Sequence, residues 1–107
     1  MNYERILLEH GPRGTATLTL NRPERGNAYD DIMLRELMIA LGEIDNDDAV
    51  RVVLIRGAGK HFCVGADIAW HRANQNAPAA REAGPKLIDM LLALDRLSKP
   101  SIAVLHG

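Results

Sequence analysis

Val50-Arg51-Val52-Val53-Leu54-Ile55-Arg56-Gly57 is the stretch on which the fold turns. Aliphatic, mostly β-branched residues follow one another from Val52 to Ile55, the pattern of a strand covered on both faces within a parallel sheet. A parallel strand needs a crossover segment before it, and the residues upstream supply one. From about Asp30 to Asp45, Leu34, Leu37, Met38, Leu41 and Ile44 recur at three- and four-residue steps, with Asp30 and Asp31 near the start. That spacing predicts an amphipathic helix whose acidic first turn suits the helix dipole. The acidic linker Asp45-Asn46-Asp47-Asp48 joins it to the strand.

Farther upstream, Ile6, Leu7 and Leu8 run into His10, Gly11, Pro12 and Gly14, after which Thr15 to Leu20 alternates polar with apolar residues. Two short strands joined by a turn are expected. Asn21-Arg22-Pro23-Glu24-Arg25-Gly26-Asn27 is rich in turn formers and cannot continue a central strand past Pro23, so it reads as a loop. Downstream, Gly57-Ala58-Gly59-Lys60 opens a loop reaching Gly65-Ala66-Asp67, and Ile68, Trp70 and Arg72 begin a short helix with Asp67 as its N-cap. The polar, alanine-rich stretch from Arg72 to Ala83, which holds Pro78, precedes a second amphipathic pattern through Leu87, Ile88, Leu91, Leu92 and Leu94. Pro100 stops it, and Ser101 to Leu105 supplies a final strand. The order β-β-α-β-α-α-β predicts an α/β fold with right-handed crossovers. His106-Gly107 follows directly on that buried-looking strand, so a natural domain boundary is not expected there.

Composition narrows the function classes. The 107 residues are 47% hydrophobic and 25% charged, as in ordinary globular domains. Thirteen basic residues against fourteen acidic ones leave no broad field to attract nucleic acid or an anionic membrane. Cys63 is the single cysteine and cannot form an internal disulfide, which suits a reducing, cytoplasmic setting. The N-terminal residues lack a secretory pattern, and the apolar stretch from Leu87 to Leu94 is interrupted by Asp89.

Several motifs suggest chemistry that simpler roles explain better. Gly57-Ala58-Gly59-Lys60 lacks the earlier glycine and the following Ser or Thr of a phosphate loop, so it reads as a turn after a strand. His61 and Cys63 are close but form only one pair, short of a zinc site. Asp30-Asp31 and Asp47-Asp48 lie at helix ends, where negative charge or turn formation accounts for them. Cys63 reads as a small apolar filler near the sheet.

His61-Phe62-Cys63-Val64-Gly65-Ala66-Asp67-Ile68 has parts that serve one task. Gly65 lets the backbone turn sharply, Asp67 caps the helix behind it, and the Ala66 N–H is left pointing into a cleft. An amide held so is one half of an oxyanion hole. Taken alone, the same residues read better as an ordinary glycine turn entering a helix.

Leu20-Asn21-Arg22-Pro23-Glu24-Arg25-Gly26-Asn27-Ala28, followed by Met33 and Glu36-Leu37, resembles the early loop and helix of the crotonase (enoyl-CoA hydratase/isomerase) superfamily. The strand ending at Arg56-Gly57, the Phe62 to Ile68 segment and Lys99-Pro100-Ser101-Ile102-Ala103 match it in order. The resemblance implies a crotonase-like spiral of ββα units, here the N-terminal part of a single domain. It also implies an acyl-CoA thioester ligand, with coenzyme A part of the substrate and no separate cofactor or metal. By the same resemblance the Ala66 N–H is one oxyanion donor, and Glu24, Arg25, Gly26, Ala28, Gly65, Ala66, Asp67 and Ile68 hold the coenzyme and pantetheine, with Arg25 meeting a phosphate.

The superfamily's second oxyanion amide and its two acid/base glutamates lie beyond the position of His106-Gly107, so the chain by itself is expected to lack hydratase activity. A homo-oligomer, trimer or hexamer, is implied for the complete protein. Trp70 resembles the Gly-Ala-Asp-aliphatic-x-Trp pattern of methylglutaconyl-CoA hydratases, although a buried tryptophan anchoring the short helix explains it as well. Ala69 stands where some relatives carry a lysine. A non-catalytic acyl-CoA-binding or interaction module is the alternative reading.

Overall fold

A computed structural model describes residues 2–107. The two opening strands, β1 (Ile6–His10) and β2 (Thr15–Leu20), pair antiparallel with Ile6 opposite Leu20 and His10 opposite Ala16. Between them Arg13 and Gly14 take left-handed backbone angles, φ 61° and 75°, which reverse the chain in a tight turn.

The first helix, α1 (Asp31–Asp45), carries the chain over the sheet to β3 (Val52–Gly57). β3 lies parallel to β2, with Thr15 opposite Val52 and Leu20 opposite Gly57. Two helices, α2 (Ile68–Asn74) and α3 (Pro78–Asp95), then lead to β4 (Ser101–Ala103), parallel to β3 with Val53 opposite Ser101. The order β-β-α-β-α-α-β is the one expected, and among the described residues the strands form one sheet in the order β1-β2-β3-β4.

The core lies between this sheet and α1. Ile6, Leu18 and Leu20 from the strands meet Met33, Leu37, Ala40 and Leu41 from the helix. Ile44 closes the far end against Ala16, Val50 and Val53. Met38 stands outside this stripe, 38% exposed, beside a shallow groove toward Lys86 and Asp89 of α3. The other expected positions, Leu34, Leu37, Leu41 and Ile44, are buried, and Met33 and Ala40 join them.

Three further details differ from the sequence reading. Pro78 opens α3 instead of sitting ahead of it, because proline at the first helical position gives up an N–H that has no helical partner anyway. β3 is covered on one face only: Val53 is fully buried, while Leu54 and Ile55 are half-buried and Arg56 is exposed. β4 ends at Ala103 and is exposed throughout, with Ile102, Val104 and Leu105 open to solvent. It is the edge strand, hydrogen-bonded on one side. Among the described residues no helix is long and apolar enough to cross a membrane.

Candidate functional site

The early loop is built around two buried polar residues. Pro23–Arg25 forms a single 3-10 turn, closed by Gly26 at φ 59°. Asn27 follows at φ 59° and is fully buried. Its Oδ1 accepts from the Arg22 N–H at 2.7 Å, fastening the turn on itself. Its Nδ2 reaches three carbonyls of the next loop, Ala58 at 2.9 Å, His61 at 2.8 Å and Phe62 at 3.1 Å. A left-handed backbone tolerates Asn better than most residues, and the short amide is what spans both loops. The Gly57–Lys60 segment is therefore a structural turn: the Ala58 N–H also donates to Leu20 O at 2.8 Å.

Arg22 is 8% exposed. Its Nη1 donates to Ala28 O at 3.0 Å, lies 2.8 Å from Asp67 Oδ2 and 3.5 Å from Asp30 Oδ2. Asp30 is the N-cap of α1, accepting from the Met33 N–H at 2.9 Å, and also pairs with Arg5 Nε at 3.1 Å. Asp67 caps α2 as expected, accepting from the Trp70 N–H at 3.0 Å. That N–H, then Arg22 and the charge of Arg25, hold the Asp67 carboxyl below the usual carboxylate range against the opposing effect of burial. A buried chain of alternating charge, Arg5-Asp30-Arg22-Asp67, thus joins the start of α1 to the start of α2.

The Asp67 end of this chain adjoins the segment holding Ala66. Tyr29 N–H donates to Gly65 O at 2.9 Å, and Asp67 N–H donates to Tyr29 O at 2.9 Å, a one-residue parallel bridge between Tyr29 and Ala66. In such a bridge the middle residue turns its own N–H and C=O to the other side. Accordingly, among the described residues no acceptor takes the Ala66 N–H. Gly65 has φ 105°, and a Cβ there would meet nothing within 4 Å, so backbone angle and not space requires glycine.

The residues expected at the site lie on the two loops and at the start of α2. Glu24 and Arg25 are exposed on the turn, and Gly26 is half-buried, its Cα facing Val64, whose Cγ1 would lie 2.9 Å from an added Cβ. Ala28 is buried, Gly65 and Ala66 are half-buried, Asp67 is buried with its carboxylate turned inward to Arg22, and Ile68 is 65% exposed. Trp70 is half-buried and meets the His71 ring edge-on at 5.2 Å, so it does not anchor α2 in the core. Cys63 is half-buried and its thiol donates to Asn27 O at 3.2 Å.

Ala66 lies outside the walls of the three cavities that border these elements. An apolar cavity of about 260 Å³ lies between α1, α3 and the sheet, touched by the site loops through Tyr29, Phe62 and Cys63. A more open groove of about 400 Å³ begins at Ile68 and continues past His71, Arg72 and Arg81.

The structural parts played by Arg22 and Asn27, and the pairing of Asp30 with Arg5 and Arg22, went unread in the sequence. Their only local signal is Asn after Gly in a turn; the partners lie on loops far along the chain.

Asp67 makes a pH prediction. Its folded pKa is depressed, so its stabilisation is complete above the unfolded value of about 3.9 and is lost as pH falls through the folded value. Asp67→Asn, which leaves Arg22 buried without that partner, is expected to cost about 3 kcal/mol at neutral pH. Urea titrations should show the gap between variant and parent closing once pH drops below about 4. A gap of constant size across that range would refute it.

Comparison with known proteins agrees with this architecture. Residues 10–107 match the family described as enoyl-CoA hydratase/isomerase. The 1,2-epoxyphenylacetyl-CoA isomerase of Escherichia coli K12 is 35% identical over 106 residues, covering 95% of this chain and 40% of that protein. The crotonyl-CoA hydratase of Syntrophomonas wolfei is 37% identical over 108 residues, covering 100% of this chain and 41% of that protein. The crystal structure of an enoyl-CoA hydratase from Mycobacterium smegmatis superposes with a TM-score of 0.91 at 38% identity, over 97% of this chain and 40% of the other. The chain thus spans about 40% of the length of the relatives it matches. With the strand and helix order, the site loops and this match running through nearly all its residues, the chain belongs to the enoyl-CoA hydratase/isomerase family.

Proposed function

We propose that this chain supplies the thioester-holding part of an enzyme that hydrates or isomerises a trans-2-enoyl-CoA, with the Ala66 N–H as one donor to the thioester oxygen. The observation that carries the reading is that N–H: it takes no acceptor among the described residues, and the bonds on either side of it fix its direction. Polarising a thioester carbonyl makes C2 acidic and C3 electrophilic, because the charge moves onto an enolate oxygen. A fixed amide aimed at that oxygen stabilises it, and losing one such donor typically costs about 3 to 4 kcal/mol in the barrier. The two relatives differ in reaction, one named an isomerase and one a hydratase, and both names carry a CoA thioester. That shared group supports the substrate class more strongly than either reaction.

In this reading the exposed Glu24-Arg25 turn and Ile68 flank the coenzyme, and residues 1–107 form the N-terminal part of one crotonase-like domain. The complete protein would be a cytoplasmic homo-oligomer acting on a free acyl-CoA, without nucleic acid, membrane or added cofactor. Acid/base glutamates would come from outside these residues, so the chain alone binds but does not turn over.

The test is amide NMR with butyryl-CoA, alongside a turnover assay on crotonyl-CoA. Binding should shift the Ala66 resonance together with those of residues 24–28, with no measurable hydration. An Ala66 resonance unmoved at saturation would remove the thioester reading, and robust hydration would overturn the predicted inactivity.

A further inference from the structure

Among the described side chains, Arg22 alone bonds both to the early loop and to Asp67, the residue after Ala66. It comes from a turn whose shape Asn27 fixes, and it is itself buried. One guanidinium nitrogen serves the Ala28 carbonyl and stands between two carboxylates, Asp30 and Asp67. A guanidinium is more weakly hydrated than a compact ammonium, which suits a buried cation between two carboxylates. The direction of the Ala66 N–H depends on the neighbours in its bridge, Gly65 and Asp67. Asp67 is anchored on both oxygens, by Trp70 N–H on one and Arg22 on the other. Without Arg22, Asp67 and Asp30 face each other with no cation between them, and the Asp67 side keeps only its cap. Arg5 still neutralises Asp30, so the disturbance falls on the Ala66 side.

We propose that Arg22 is a positioning residue: by clamping Asp67 to the early loop it fixes the direction of the Ala66 N–H and thereby the preference for a thioester carbonyl. This rests on the functional reading of Ala66 given above. It goes further in assigning the site's aim to a buried residue whose side-chain bonds all go to the protein itself.

The experiment compares two ligands on the full 107-residue chain. Butyryl-CoA carries the carbonyl; S-butyl coenzyme A, its thioether, does not. The parent chain should hold the thioester more tightly. Arg22→Met should lose about tenfold in affinity for the thioester, as expected for a misdirected donor, while its affinity for the thioether stays unchanged. Equal losses for both ligands, or none for either, would show that Arg22 serves only the fold and overturn the proposal. A parent chain that does not distinguish the ligands would instead overturn the reading of Ala66, and this proposal with it.

Should Arg22→Met fail to fold, Arg22→Lys keeps the charge on a more strongly hydrated ammonium. Its thioester-specific loss should be about threefold, and an unselective loss counts against the proposal as before. A pH profile adds a readout that a purely structural role would not move. The charged groups around Asp67 are Arg22 and Arg25, with Asp30 and Arg5 behind Arg22 and His71 one turn along α2. Weakening the Arg22 contact raises the pH below which thioester affinity falls in Arg22→Lys, whereas thioether affinity keeps the parent profile. Coincident profiles for the two ligands would overturn the assignment.

Discussion

Asn27→Ala is expected to abolish cooperative folding near neutral pH. The side chain is completely buried: its Oδ1 accepts from the Arg22 N–H, and its two amide hydrogens are shared among the Ala58, His61 and Phe62 carbonyls. Buried groups left unpaired cost about 1 to 3 kcal/mol each, and alanine would also have to hold the left-handed φ that asparagine tolerates. Summed even at the low end, this matches much of the stability of a domain this size, about 5 to 10 kcal/mol. Asn27→Asp should be no better, because a carboxylate cannot donate to three carbonyls. Far-ultraviolet circular dichroism through a urea titration reads the outcome directly. A variant with the parent's midpoint would mean that the two loops are held by something other than this amide.

The second large effect is expected at Gly57, the last residue of β3. A Cβ there would sit 2.5 Å from Phe62 O and 2.7 Å from Phe62 Cα, closer than atoms approach without displacement. The neighbouring backbone is poorly placed to yield, since Phe62 O accepts from Asn27 and Phe62 N–H donates to His106 O at 3.2 Å. Overpacking of this kind costs about 3 kcal/mol. Gly42→Ala is the control: the position is exposed on α1 and an added Cβ meets nothing within 4 Å, so it should gain about 0.5 to 1 kcal/mol. Thermal midpoints moving in opposite directions for the two alanines would establish that the close approach at Gly57, and not glycine content in general, matters. Equal shifts would refute it.

What the sequence disclosed followed the range of the forces involved. α1 was legible because Leu34, Leu37, Leu41 and Ile44 repeat at the helical period and all are buried. The Asp67 cap was legible because a cap acts on a residue three positions away, whereas Asp30 was read only for its negative charge at the start of α1. The start of α3 was obscured by Pro78, which is at once a loop former and a favoured first residue of a helix. The exposure of β4 could not be read from Ile102, Val104 and Leu105, since apolar composition says nothing about what lies across from a strand. At the candidate site, Gly65, Ala66 and Asp67 announce a bend and a cap locally, whereas the inward turn of Asp67 depends on Arg22, a partner distant in sequence. Family resemblance carried the loop as a motif; only the folded arrangement gives Arg22 and Asn27 their tasks.

The position of β4 has a kinetic consequence. β1 and β2 are joined by a short turn, so their pairing closes a small loop and can form early. β4 must wait for β3, for both α2 and α3, and for a ring of chain that costs more entropy to close, and its reward is three exposed residues. Pulse-labelled hydrogen exchange during refolding should therefore find the Val104 amide, which donates to Ile55 O at 2.8 Å, among the last to gain protection and the first to lose it.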